Sequence, residues 1–246
     1  MSELTSEGRR AILGYPATPD EDLLDVSPDE FRAGWSPRFG TRNPEPMRIP
    51  FWDGMIRSGI SASQARQAFE QRYTLQEHFA PIWCAQRFGQ SMTFLDDGQI
   101  VQIGGEHEDF YDSDFCIYND VIVHDASGNI AIYGYPESVF PPTDFHSATV
   151  LGGRIVVIGS LGYRGERRAG ETPVYEVDVG TFRIRPLETR GERPGWIYGH
   201  RATRLSPREI QVSGGTVVTV VEGKEVHAEN GRAFVLDVEE GVWRAE

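Results

Sequence analysis

The chain of 246 residues carries 37 acidic and 24 basic residues, and its formal net charge of −13 disfavours binding to a nucleic-acid backbone. The two cysteines, Cys84 and Cys116, cannot form a disulfide framework and lack CxxC spacing, so we interpret them as reduced, half-buried thiols. No run approaches the ~18 uninterrupted apolar residues of a membrane span, and residues 1–13 lack the order of a secretory signal. We therefore expect a cytoplasmic protein that contacts no membrane.

Residues 1–26 have the composition of an acidic arm. Between Ala11 and Phe31 there is no lysine or arginine, while acidic residues accumulate and few apolar residues offer anchors. This pattern predicts a solvated tail, and the alternative is an arm that becomes ordered on a basic partner.

Helix signals follow the arm. Ser27 and Glu30 have the spacing of a capping box with proline between them, which predicts a short helix to about Trp35. A proline-rich loop leads to a helical turn starting near Phe51, and Ser61 and Gln64 can cap a helix from Ala62 to about Tyr73. Residues 1–80 are thus expected to form an acidic arm and a helical cap.

A repeated hairpin pattern organises the rest of the chain. It occurs at Phe88–Gly105, Phe145–Ser160 and Tyr198–Gly215, each time as two short apolar strands around a polar or glycine turn. A threonine in each first strand marks the register with spacings of 56 and 54 residues, at Thr93, Thr149 and Thr203.

Each hairpin is followed by two further strand patterns. The third segments all close on an aspartate, at Asn119–Asp125, Pro173–Asp178 and Arg232–Asp237. Fourth segments begin at Asn129, Thr181 and Gly241. Four strands per unit, at a period near the ~50 residues of kelch blades, are typical of a propeller blade.

These motifs resemble the kelch family over roughly residues 86–246. The resemblance rests on the segment from His146, the diglycines Gly104-Gly105 and Gly214-Gly215, the segment from Asn119 to Asp125, Trp243, and the link from Gly191 into His200. It implies an all-β domain over residues 81–246, a partial kelch-like β-propeller of three four-stranded blades. Blades are apolar on both faces, so an open arc should need covering by residues 27–80 or by a second copy.

The segment Glu106–Asp114 is the sharpest local feature. Its acids do not have the spacing of a calcium loop, so we predict no metal and no cofactor, and instead a contact site for cationic groups of a protein. The predicted partner-binding residues are Glu106, His107, Glu108, Asp109, Tyr111, Asp112, Asp114, Tyr163 and Trp196. Downstream, Val217–Asn230 is expected to extend a strand or to form an extra hairpin at Glu222-Gly223.

Catalytic motifs are missing from the sequence. There is no G-x-S-x-G elbow and no H-E-x-x-H zinc motif. His146 and His200 stand at equivalent places in their repeats, which favours a structural hydrogen bond to a neighbouring blade over catalysis. We predict that the protein is not an enzyme.

The leading hypothesis is therefore a non-enzymatic protein-binding module with a basic protein partner. Its most concrete form is a cytoplasmic immunity protein that inhibits a nucleic-acid-directed toxin, because an acidic surface can plug a basic groove. The alternatives are a generic kelch-like adaptor, a half-propeller completed by homodimerisation, and an enzyme with a site at the blade-loop face.

Overall fold

The computed structural model describes residues 5–69, 80–107 and 115–246, and these residues form mostly antiparallel β-sheet with a few short helices. The helices are α1 (Ser6–Ile12), α2 (Pro28–Gly34), α3 (Pro50–Ser58) and α4 (Ala62–Phe69), with a 3-10 turn at Glu21–Leu23. The predicted capping box of Ser27 and Glu30 is confirmed at the start of α2. Tyr73, the predicted end of the last helix, lies outside the described residues.

The first sheet uses strands from both sides of the predicted boundary at residue 80. The strands up to residue 134 are β1 (Glu45–Pro46), β2 (Ser91–Phe94), β3 (Ile100–Ile103), β4 (Glu106–His107), β5 (Cys116–Ile117), β6 (Val121–His124) and β7 (Ile130–Gly134). The sheet order is β1-β7-β6-β3-β2, and β4 pairs with β5 as a separate ribbon. The N-terminal part thus adds one short strand to an antiparallel meander of four.

The second sheet is a plain meander. Its strands are β8 (Ser147–Leu151), β9 (Arg154–Ile158), β10 (Val174–Asp178) and β11 (Ile184–Pro186), paired in chain order. Thr149 lies opposite Val156, as Thr93 lies opposite Val101 in the first sheet. The threonines therefore occupy matching positions in the hairpins, as the sequence predicted.

A third sheet and an inserted smaller sheet complete the fold. The remaining strands are β12 (Arg190–Gly191), β13 (Trp196–Tyr198), β14 (Arg201–Arg204), β15 (Glu209–Ser213), β16 (Thr216–Val221), β17 (Lys224–Glu229), β18 (Ala233–Asp237) and β19 (Val242–Ala245). The third sheet has the order β12-β19-β18-β15-β14, and β13-β16-β17 form the smaller sheet. Glu222-Gly223 makes the turn of the predicted extra hairpin, which is confirmed.

Three apolar cores separate the layers. Val101 and Val121 of the first sheet pack with Ile155 and Val157 of the second, while Val156 faces the third sheet. The second sheet is therefore buried on both faces, which explains the uninterrupted apolar run of β9. On its far side the first sheet packs against helices α2 to α4, through residues such as Ile122.

The N-terminal segment covers this far side of the first sheet. Trp52 of α3 is fully buried and stacks on Trp83 with ring centroids 4.8 Å apart, and its Nε1 donates to the carbonyl of Gly34. Trp83 in turn donates from Nε1 to Asp120 Oδ2 at 2.8 Å. A continuous series of contacts thus joins the helices to the loop before β6, as expected for a cap.

In the described part of residues 1–26 the acidic stretch is mostly exposed to solvent, as predicted, but the arm is fastened to the fold by arginines. The Arg10 guanidinium is buried and donates to the carbonyls of Pro16, Ile56 and Arg57 at 2.8–3.0 Å. Arg9 donates to the carbonyl of Gln90 at 3.1 Å. Two arginines that precede the acidic stretch anchor the arm, because a guanidinium can satisfy several carbonyls at once.

The expectation that every sheet is apolar on both faces is wrong for the third sheet. Its outer face carries ion pairs between Arg244 and Glu209 at 2.9 Å and between Arg208 and Asp237 at 3.1 Å. Val235 on that face has no exposed surface, and its cross-strand neighbours are Gln211 and Arg244. A polar outer layer thus covers the apolar Val235 at this end of the stack.

The three sheets contact one another through a repeated pair of histidine hydrogen bonds. His146 Nε2 lies 2.9 Å from Ser91 Oγ, and His200 Nε2 lies 2.8 Å from Ser147 Oγ. Each histidine thus links the first strand of its sheet to the first strand of the preceding sheet. The predicted structural role of these two histidines is confirmed. Gln90 stands at the matching place in the first sheet, and its backbone carbonyl accepts a hydrogen bond from the Arg9 guanidinium.

Gly159→Ala tests the spacing between the second and third sheets. A Cβ at Gly159 would lie 2.3 Å from the carbonyl oxygen of Ile197, and its φ is +77°. Gly214 occupies the same place in the third sheet with φ +63°, yet nothing lies within 4 Å of its Cβ position. We expect G214A to lower the free energy of unfolding by about 1–2 kcal/mol for the left-handed backbone alone. G159A should cost at least about 3 kcal/mol.

Denaturant unfolding of the two variants gives the comparison. Equal losses for G159A and G214A would contradict the prediction, because only the Cβ position of Gly159 is crowded, by the Ile197 carbonyl and by the His200 ring at 2.8 Å.

Candidate functional site

The connections that follow the second strand of each sheet meet at one end of the molecule, here called the loop end. Strands β3, β9 and β15 finish there, and residues 104–120, 159–173 and 214–232 form the connections. Loops on a rigid sheet scaffold are common places for binding residues. The residues predicted to bind a partner come from the first two of these connections and from β13.

The ribbon β4-β5 forms the base of the acidic segment. Glu106 pairs with Ile117 and His107 with Cys116, and the backbones of Phe88 and Glu106 exchange two hydrogen bonds of 2.9 Å. Glu106 is half-buried, whereas the His107 side chain is buried and does not face solvent. Of the other predicted residues, those lying outside the described part of the chain are Glu108, Asp109, Tyr111, Asp112 and Asp114.

Tyr163 holds the ribbon in place from the second connection. Its hydroxyl oxygen accepts a hydrogen bond of 2.8 Å from the backbone N–H of Ile117. Its ring meets Phe115 edge-on, with centroids 5.8 Å apart. Burial raises the pKa of Tyr163 to about 12, so the hydroxyl stays protonated at neutral pH. The structure thus brings Tyr163 beside the C-terminal side of the acidic segment.

Two exposed phenylalanines lie at this ribbon. Phe88 is 62% exposed and Phe115 is 44% exposed, although both rings are large and apolar. Phe88 bonds to β4, and Phe115 directly precedes β5. Exposed aromatic side chains grouped around a charged segment are typical of protein-contact surfaces. The sequence pattern did not single out Phe88, which stands two residues before Gln90, in the place that Tyr198 takes before His200.

A groove of about 960 Å³ lies next to Tyr163 and is lined by Tyr163 and Trp196 together. The indole of Trp196 is half-buried and fixed, because its Nε1 donates to the carbonyl of Leu161 at 3.2 Å. Arg164 and Arg193 also line the groove, and neither forms an ion pair with any residue in the described part of the chain. Tyr163 and Trp196, distant in sequence, thus share one concave site.

A pair of acids, Asp144 and Glu106, lies beneath the loop end. Asp144 is fully buried, and its Oδ1 accepts from the backbone N–H of Gly162 at 2.6 Å and from Ser160 Oγ at 3.3 Å. Burial raises the pKa of Asp144, against the opposing hydrogen bonds from Gly162 and from the Glu106 side chain. This contact ties the second connection to the base of the acidic segment. Sequence reasoning missed Asp144, because its partners Ser160 and Gly162 lie 16 and 18 positions away and Glu106 lies in the preceding repeat.

Within residues 5–69, 80–107 and 115–246, no group of three or more histidine, cysteine, aspartate or glutamate side chains is arranged to hold a metal ion. None of the helices described is both long enough and apolar enough to cross a bilayer.

Comparison with known proteins assigns the chain to no family. No protein-family model matches the chain, and no curated protein matches its sequence. A solved structure titled "Structure of YjhT" is similar to this chain with a TM-score of 0.47 and 15% identity, over 65% of this chain and 52% of that one. The chain therefore spans about half the length of that structure. The resemblance to the kelch family stays a prediction.

Proposed function

We propose that the three sheets are blades of an open, kelch-like partial propeller that serves as a non-enzymatic protein-binding module. The repeat of contacts between neighbouring sheets supports this arrangement. The N–H of Phe145 donates to the carbonyl of Gly89, and the N–H of Gly199 donates to the carbonyl of Phe145, both at 2.8 Å. All three residues have positive φ and precede the innermost strand of their sheet, as expected for blades around one axis.

The binding surface is the loop end around the ribbon β4-β5. The observation that carries this proposal is three partly exposed rings at the ribbon: Phe88, whose backbone pairs with Glu106, and Phe115 and Tyr163, whose rings meet edge-on. Aromatic anchors supply the buried core of an interface, and carboxylates such as Glu106 add attraction for cations. A partner surface of arginine and lysine side chains suits both features.

The partner is a basic protein, and in its most concrete form a nucleic-acid-directed toxin inhibited in the cytoplasm. The net charge of −13 speeds encounter with a positively charged groove. Inhibition follows if the acidic segment fills the groove where nucleic acid would bind. A generic adaptor would use the same surface for a partner without such a groove.

Phe88→Ser with Phe115→Ser tests the surface, and Phe94→Ser is the matched control. Phe94 is 57% exposed and ends β2, so it lies at the other end of the sheet. We expect the double variant to lose at least about tenfold in affinity for the native partner per ring removed, mainly through faster dissociation. Phe94→Ser should bind like the wild type. The measurement is surface-based binding kinetics with the partner captured from the native host.

The salt dependence of the same measurement and a growth assay decide the class of partner. A basic toxin should associate more slowly at higher salt, and co-expression of the chain should protect cells from it. Binding that is independent of salt, to an acidic or neutral partner with no protection, would leave the adaptor and exclude the inhibitor.

The groove favours a second candidate function, an enzyme or small-ligand receptor with its site at the loop end. Its volume is that of a small-molecule site, and Trp196, Arg164 and Arg193 offer a stacking plane and two positive charges. Calorimetric titration with a panel of small acids and sugars tests it, with Trp196→Ala as the control that should abolish any heat of binding.

A further inference from the structure

The hairpin β16–β17 projects beyond the repeated part of the fold and exposes apolar side chains. It is inserted between β15 and β18, at the place where the first repeat carries the shorter ribbon β4-β5. Val220, Val221 and Val226 are 54%, 55% and 41% exposed. Glu222 and Gly223 both have positive φ, 51° and 75°, which defines a tight two-residue turn that fixes the register of the strands. The hairpin does not line the groove, and on its inner side Glu225 pairs with Arg167 at 2.9 Å while the Tyr198 hydroxyl lies 3.1 Å from His227 Nδ1.

The outer edge of β17 has free backbone groups. In a hairpin with a two-residue turn, the first residue pair that exchanges backbone hydrogen bonds is Val221 with Lys224, and the next is Thr219 with Val226. The N–H and C=O groups of Glu225, His227 and Glu229 therefore point away from β16, and no backbone group in the described part of the chain bonds to them. Such an edge can pair with another strand.

We propose that β17 pairs antiparallel with β17 of a second copy of this chain, about a two-fold axis at Val226. The two copies of the small sheet would then form one continuous six-stranded sheet. In this register Glu225, which also pairs with Arg167 of its own chain, faces His227 of the second copy on one side of the sheet. On the other side the two Val226 side chains face each other, and Val221 lies on that same side.

Charge selects this register over its neighbours. An axis at His227 would place Glu225 opposite Glu229 twice, and an axis at Glu225 would place two glutamates face to face. Like charges directly opposite each other destabilise strand pairing. The axis at Val226 brings Lys224 opposite Ala228, so no like charges meet across the edge. The contact area of two edges is small, so the dimer is weak and depends on concentration.

A cysteine at position 226 tests the geometry directly. Directly opposed residues of a non-bonded antiparallel pair have Cα atoms about 4.5 Å apart, within the range of a disulfide. Val226→Cys should therefore form a covalent dimer under mild oxidation. Val220→Cys is the matched control, because residue 220 lies on β16 and its two copies would be separated by three strand spacings, about 14 Å. The native Cys84 and Cys116 are buried and stay reduced.

Sedimentation of the full chain supplies the second measurement. The wild type should shift from 27.6 kDa towards twice that mass with rising concentration. Added salt should strengthen the association, because each copy carries a charge of −13. Val226→Lys would place the two new lysines opposite each other across the axis, so this variant should stay monomeric. Val220→Lys should dimerise like the wild type. A wild type that is monomeric at all concentrations, or equal cross-linking at positions 220 and 226, would overturn the proposal. A dimer unaffected by Val226→Lys would also overturn it.

Discussion

Deletion of residues 1–80 is expected to abolish the folded, monodisperse protein. The described part of this segment, residues 5–69 and 80, supplies nine buried apolar side chains larger than alanine to the core on the far side of the first sheet. At about 2 kcal/mol for each buried side chain, their loss exceeds the usual net stability of a domain of about 5–15 kcal/mol. The deletion would also expose Ile122, Ile132 and Trp83, so we expect aggregation. Light scattering and circular dichroism of the truncated chain give the answer.

Two point substitutions show whether the N-terminal segment stabilises the fold through its buried side chains or equally through its exposed ones. Trp52→Ala removes a fully buried ring that stacks on Trp83, and should cost about 3–5 kcal/mol of unfolding free energy. Leu23→Ala, at a side chain that is 40% exposed in the same segment, should cost less than about 1 kcal/mol. A stable, monomeric truncated chain would refute the capping role, and so would similar losses for the two substitutions.

The second large effect is a loss of stability in mild acid. Burial lowers the pKa of His124 and His200 to about 4 and the pKa of His146 to about 3, while an unfolded histidine titrates near 6.5. The folded chain therefore keeps these imidazoles neutral after the unfolded chain has protonated them. Stability is complete above pH 6.5 and falls as the pH drops from 6.5 towards 4, by up to about 1.4 kcal/mol per pH unit for each histidine.

Glutamine substitutions separate the contribution of the histidines to this acid-induced loss of stability from the contribution of the carboxylates. Gln90 fills the matching position in the first sheet, so His146→Gln and His200→Gln keep a hydrogen-bonding amide there without a titrating group. Between pH 6.5 and 4.5 the three histidines make the free energy of unfolding fall with pH. The double variant removes two of the three, so about two thirds of their share of this slope should be lost. Urea unfolding at a series of pH values measures it. The raised pKa of Asp144 acts in the opposite direction and is unchanged in the variant. An unchanged slope would show that the buried histidines do not cause the acid sensitivity.

The loop-end site could be predicted only in part. The acidic composition of Glu106–Asp114 is visible in the sequence, and so are the aromatic residues Tyr163 and Trp196. Their grouping is not visible, because Tyr163 reaches Ile117 across 46 positions and Trp196 reaches Leu161 across 35. The burial of His107 and the contact between Asp144 and Glu106 also depend on how the repeats lie side by side.

The strands of the three repeated hairpins and their register follow from the sequence, whereas β1 lies in the predicted proline-rich loop and the ribbon β4-β5 was not predicted. Alternating or continuous apolar runs between glycine turns specify hairpins locally, and the repeated threonines give the same pairing in three sheets. The helix start at Ser27 is equally local, because a capping box closes within four residues.

Only the tertiary structure shows how the N-terminal arm is anchored and what covers the outer face of the third sheet. The acidic stretch predicts a free arm, yet Arg10 binds carbonyls more than forty positions away and holds it down. The kelch resemblance implies blades that are apolar on both faces, yet Arg244, on the strand adjacent to β18, pairs with Glu209 across the outer face of the third sheet. The sequence pattern shows which side chains are apolar and which are charged. It does not record which distant groups satisfy them, because long basic side chains can reach partners that sequence spacing does not indicate.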